Sequence, residues 1–199
     1  MASCIGDIAG SIGLNCESPI EGGYTGRAVL IPMSANPILT KDAANPRIIT
    51  GITIDADANT VHVDNEGANP YDGSSTTGNN DAGFIKFVKV ISVRMPERGA
   101  NFTKDVLEPL VKSGRGFIGI FEKVDRVGDG SFEVIGAQSP MKVTDPSTVT
   151  RQENANGGAW LANLQSSELY AESVLFNQDY ATTLQDFENL IGMAYNSAQ

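Results

Sequence analysis

Hydrophobic positions in this chain fall in short runs rich in β-branched and aromatic residues, some continuous and some alternating with polar residues, separated by glycine, proline and asparagine, which is the pattern of strands joined by turns. Residues 27–32 (RAVLIP) read as a buried strand, and residues 47–54 (RIITGITI) as a second with a glycine at its middle. Residues 60–64 (TVHVD) are expected to pair with residues 51–54 as a hairpin across the turn at 55–59. The most regular run is 84–93 (FIKFVKVISV), which puts Ile85, Phe87 and Val93 on one face and Lys86, Val88, Val90 and Ser92 on the other. Residues 116–122 and 131–136 read as a hairpin around VGDG, and residues 158–165 as a further strand with Trp160 and Leu164 on its buried face.

Two segments follow the helical period instead. Phe102, Val106 and Leu110 stand four apart within 101–112, with Leu107 and Val111 beside them, and Pro109 makes this helix short or kinked. Residues 179–195 form a second helix: Thr182 with Gln185 fits a capping box, and Leu184, Phe187, Leu190 and Ile191 follow on one stripe.

Two further segments have no period at all. Residues 1–26 are punctuated by Gly6, Gly10, Gly13, Gly22, Gly23 and Gly26 and read as an extended N-terminal arm. Residues 64–83 (DNEGANPYDGSSTTGNNDAG) read as a long loop whose side chains bury too little apolar surface to offset the entropy of ordering it. A neighbouring subunit is expected to hold that loop, with Tyr71 as its anchor, so deleting residues 69–80 is expected to spare the fold and block assembly. The order of elements is not a regular alternation of strand and helix. The expected fold is therefore mainly β, of α+β class: one domain, an antiparallel β-sandwich or barrel with a short middle helix, a C-terminal helix, an arm and a long loop.

Composition narrows the function. The 199 residues suffice for one domain with a real core, and 41% hydrophobic with 19% charged residues is ordinary for a globular protein. Fourteen Lys and Arg against 24 Asp and Glu give a net charge of −10, which opposes adhesion to phosphate backbones and anionic membranes. An acidic wall still suits DNA that must be guided without being gripped. Cys4 and Cys16 lack the spacing of a zinc site or a redox pair; a disulfide and two free thiols both fit, and a reducing cytoplasm favours the thiols. The segment MASCIGDIAGSIGLNC has no basic region or continuous apolar core, so no secretory signal is expected, and no stretch approaches a membrane span.

Candidate chemistry is sparse. Asp55, Asp57, Asn59 and Glu66 stand at positions 1, 3, 5 and 12 of a calcium loop, but the sixth position is Thr60 rather than Gly and the flanks alternate like strands, so a solvated turn is the stronger reading. His62 is the only histidine, lies in a strand-like run and has no evident nucleophile beside it. The glycines at 6, 10 and 13 do not make a dinucleotide fingerprint, and no Walker sequence occurs. Asp125 with Asp129, and Asp7 with Glu17, read as surface acids rather than an acid and base pair. Lys86, Lys89, Arg94 and Arg98, interleaved with Phe84 and Phe87, read as a solvated strand face in preference to a nucleic-acid patch. Asn101-Phe102-Thr103 matches a glycosylation sequon that matters only on secretion. Neither enzymatic activity nor a cofactor is expected.

The arm MASCIGDIAGSIGLNC, the segment FEVIGAQ, the run TRQENANGGAWLANLQ and the ending NQDYATTLQDFENLIG together resemble the tail tube subunits of tailed bacteriophages. The resemblance implies a β-sandwich or barrel with a flanking helix, hexameric rings, and stacking of those rings into a virion tail tube that conducts DNA without specific binding. It implies assembly in the host cytoplasm, with copies of the chain itself and other tail proteins as partners and no membrane. Expected interface residues are Asn69, Pro70, Tyr71 and Asp72 in the loop and Cys4, Ile5, Ile12 and Leu14 in the arm. Another phage structural role, as head decoration, connector or capsid protein, is the alternative, and a calcium-binding β module a more distant one.

Overall fold

The computed structural model describes residues 23–63, 71–81, 84–95, 99–126, 128–143, 145, 149–151 and 159–195. Among these residues the strands form two sheets packed face to face. The larger holds β1 (Tyr24–Pro32), β2 (Ile38–Lys41), β3 (Ile48–Thr53), β4 (Val61–Val63), β7 (Phe117–Lys123), β8 (Phe132–Ile135) and β11 (Val174–Leu175), in the order β2-β3-β11-β8-β7-β1-β4. The smaller holds β5 (Tyr71–Asp81), β6 (Phe84–Met95), β9 (Thr150–Arg151) and β10 (Trp160–Glu168), in the order β5-β6-β10-β9. The mainly β architecture with a middle and a C-terminal helix is the one expected. The pairing is antiparallel except that β11 runs parallel to β3, so the large sheet is mixed.

The large sheet is buried on both faces at its centre, which explains why its strands do not alternate apolar with polar. On one face Ala28, Leu30, Phe117, Phe121 and Ile135 meet Ile91, Val93, Ala162 and Leu164 of the small sheet. On the other, Val29, Ile31, Ile118, Ile120, Phe132 and Val134 lie under Phe187, Leu190 and Ile191 of helix α3 (Tyr180–Tyr195). Gly119 has no side chain because a Cβ there would come 2.5 Å from both Met141 Cε and the Phe121 ring.

The middle helical run consists of α1 (Ala100–Phe102), a π-turn (Thr103–Leu107) and α2 (Glu108–Lys112). Pro109 has no N–H and its ring crowds the carbonyl four residues back, so a widened turn just before it relieves the conflict. Leu107 and Leu110 are buried and Phe102 and Val111 pack against the intersheet core, as the four-residue spacing predicts. Helix α3 begins one turn earlier than its expected cap: Asp179 Oδ1 accepts the Thr182 N–H at 2.8 Å, and the Asp179 carbonyl accepts the Thr183 N–H and hydroxyl. Thr182 is thus the donor in the cap rather than the capping residue.

Three further expectations are corrected. β4 does not pair with β3; it pairs with β1, with Leu30 opposite Val61 and Ala28 opposite Val63. Thr60 donates its hydroxyl to the Leu190 carbonyl at 2.8 Å, which fixes the chain entering β4 beneath α3, at the far edge of the sheet from β3. The arm ends before Tyr24, since Tyr24, Thr25 and Gly26 already belong to β1, with a register shift before Ala28 where Gly26 sits; residues 1–22 lie outside the described residues. The long loop is not a loop throughout: residues 71–81 are β5, paired with β6 from Tyr71 opposite Val93 to Asp81 opposite Phe84.

Candidate assembly surfaces and the buried charge network

β5 forms because β6 offers it a row of backbone donors and acceptors, not because its side chains drive burial. Residues 74–80 (SSTTGNN) carry neither charge nor proline, and residues 75–78 are exposed. Edge strands are ordinarily guarded by lysine, proline or brevity; β5 is eleven residues long and lacks these guards along most of its length. A register shift between Tyr71 and Ser74 marks its first turn.

The large sheet also ends in two edges, β2 and β4. β2 carries Ile38, 67% exposed, while its neighbour Leu39 packs beneath α3. β4 carries Val61 and Val63, which pack on the intersheet side. Beside β4 a half-open pocket of about 190 Å³ lies between β4, β6 and the middle helical run. Its walls include Leu30, Val61, Val93 and Phe102, and His62, Arg94 and Asp105 also line it.

Between the sheets sits a buried charge network that includes Lys89, a residue expected on a solvated strand face. Lys89 is 2% exposed and its Nζ pairs with Glu133 Oε1, across from β6 to β8. Glu133 Oε2 also accepts the Tyr24 hydroxyl at 2.7 Å, and Lys123 Nζ lies 3.8 Å away, paired in turn with Glu172. Lys89 occupies an inward position of β6, in step with Ile91 and Val93, and a carboxylate on the facing sheet compensates its charge. Lys86 is exposed, Arg94 is half-buried and Arg98 lies outside the described residues, so these cations do not share one solvated face.

Glu168, at the end of β10, accepts the backbone N–H groups of Gly136 at 2.7 Å and Gln138 at 3.2 Å, tying the small sheet to the turn after β8. Burial raises its pKa above the ordinary value, against the lowering effect of those donors and of Lys89. On the α3 side Glu122 is fully buried and engages Thr25 at 2.9 Å, Arg126 at 3.4 Å and Arg27 at 3.7 Å. Tyr180 donates to it at 3.4 Å, and burial together with the Glu122 charge raises the Tyr180 pKa. These carboxylates are engaged inside the fold, which suits cohesion rather than proton transfer to a substrate.

The predicted site residues fare unevenly. Asp55, Asp57 and Asn59 are exposed in a turn closed by Ala58 N–H to the Asp55 carbonyl, and Asp55 accepts Asn36 Nδ2 at 2.6 Å. Among the described residues no three His, Cys, Asp or Glu side chains are grouped to hold a metal ion, and Glu66 lies outside the described residues. His62 lines the pocket beside β4. Tyr71 and Asp72 begin β5, whereas Asn69, Pro70, Cys4, Ile5, Ile12 and Leu14 lie outside the described residues, as do Asp7 and Glu17. Asp129 is exposed and Asp125 half-buried. Ile38 and the pocket escaped the sequence reading because Ile38 sits in proline-rich chain and the pocket is formed by distant segments. No helix among the described residues is long and apolar enough to cross a membrane. No protein-family model, curated protein or solved structure matches this chain.

Proposed function

We propose that this chain is a structural virion subunit that joins head to tail into rings, and that the rings stack into a tail tube through which DNA passes. The observation that carries this reading is the direction of the sheet edges. Following the pairings across the large sheet, β2 and β4 run in opposite directions; across the small sheet, β5 and β9 do the same. Copies placed side by side in one orientation therefore bring antiparallel edges together in both sheets at once. Such a heterologous contact closes into a ring when the rotation per copy divides a full turn, six copies being the number the family resemblance implies.

The unguarded β5 edge supports the same reading, since an exposed edge of this length is a template for strand addition by another chain. The net charge of −10 supports passage of DNA without adhesion. Sedimentation velocity over a range of protein concentrations tests the proposal. Discrete large species that grow with concentration are expected, and a single monomer boundary throughout contradicts it.

A further inference from the structure

Ile38 and the pocket beside β4 stand at opposite edges of one sheet and on the same side of it. Leu39 and Ile52, opposite each other in the β2–β3 ladder, pack beneath α3, so by the alternation of a strand Ile38 belongs to the other, intersheet side. Val61 and Val63 of β4, which line the pocket, also pack on the intersheet side. An isoleucine 67% exposed on an edge strand is an apolar knob that the described residues leave largely uncovered.

We infer that this pocket receives Ile38 from a second copy of the chain. The inference deepens the head-to-tail reading and rests on it. When β2 of one copy lies antiparallel to β4 of the next, Ile38 falls on the side where Val61 and Val63 line the pocket. The fit in size is good: a cavity of roughly 150 Å³ holds benzene, and this one measures about 190 Å³, enough for a branched aliphatic side chain. The π-turn contributes Asp105 and Val106 to the lining of the pocket. Knob and pocket occupy different surfaces, so the contact is heterologous and propagates from copy to copy.

Cross-linking tests the contact. In a Cys4→Ser, Cys16→Ser background, Ile38→Cys protein mixed with Asp105→Cys protein is expected to form a disulfide-linked pair under mild oxidation, and neither variant alone is expected to do so. In the otherwise native chain, Ile38→Asp is expected to raise the concentration needed for assembly by at least about tenfold, since it removes one buried aliphatic side chain from each junction. It leaves the monomer's melting temperature unchanged. Assembly of Ile38→Asp at the native concentration, with no cross-link in the mixture, overturns the contact while leaving self-assembly intact. A native chain that stays monomeric overturns the head-to-tail reading and the contact with it. If Asp105→Cys with the native cysteines retained links instead to Cys4 or Cys16, the pocket belongs to the N-terminal segment and the assignment fails.

Discussion

Lys89 on β6 and Glu133 on β8 form an ion pair through the interior of the sandwich, the one joining the small sheet and the other the large. Removing one member leaves the other charge buried without its counterpart, which is the costly half of such an arrangement. Glu133→Leu alone is expected to lower unfolding free energy by about 3–5 kcal/mol. Lys89→Met combined with Glu133→Leu is expected to recover most of that loss, because a matched apolar pair needs no compensation. Denaturant unfolding of the single and double variants decides this, and a double variant no more stable than Glu133→Leu contradicts it.

Gly136 has φ +94°, and a Cβ there would lie 2.6 Å from the Phe117 carbonyl oxygen. Gly136→Ala is therefore expected to cost about 2 kcal/mol or more, through strain at a left-handed position and displacement of backbone. Gly51→Ala serves as the comparison, since a Cβ there meets nothing within 4 Å. Equal melting temperatures for the two variants would refute the steric account.

Glu168 sets a pH dependence of definite sign. Its carboxyl is raised above 4.5 by burial, so between 4.5 and the raised value the folded chain binds more protons than the unfolded chain. Its contribution to stability is thus full below 4.5 and is lost as pH rises through the raised folded value. Stability of the native chain relative to Glu168→Gln should fall with rising pH across that window and then level off. A relative stability that rises with pH there would show that the donors from Gly136 and Gln138 outweigh burial.

β5 gives a prediction different from the one its composition suggests. Deleting residues 69–80 removes most of a strand paired to β6 and uncovers β6, so the deletion is expected to destabilise the chain as well as block assembly. Ser75→Lys with Thr77→Lys is the cleaner probe: both positions are exposed, so stability should change by less than about 0.5 kcal/mol. Assembly should nevertheless be lost, because two lysines guard the edge against a neighbouring strand. Normal assembly of this variant would remove β5 from the interface.

The strands at residues 84–93, 116–122, 131–136 and 158–165 were legible because burial fills them with apolar, β-branched and aromatic side chains. β5 was not, because its order comes from backbone pairing and its Ser, Thr, Gly and Asn side chains carry no trace of that. β4 was recognisable as a strand, but its partner depended on Thr60 reaching Leu190, a contact across 130 positions. Lys89 looked solvated because its carboxylate partner lies on another sheet, and the Asp179 cap was missed because Thr182 and Gln185 mimic one three residues later. Ile38 and the pocket beside β4 were not legible, because their placement on one side of the large sheet depends on strand order.

Negative-stain electron microscopy of the concentrated protein tests the central claim most directly. Rings with sixfold symmetry, and tubes built by stacking them, are the predicted result. Monodisperse particles of monomer size at high concentration, with neither rings nor tubes, would contradict the account.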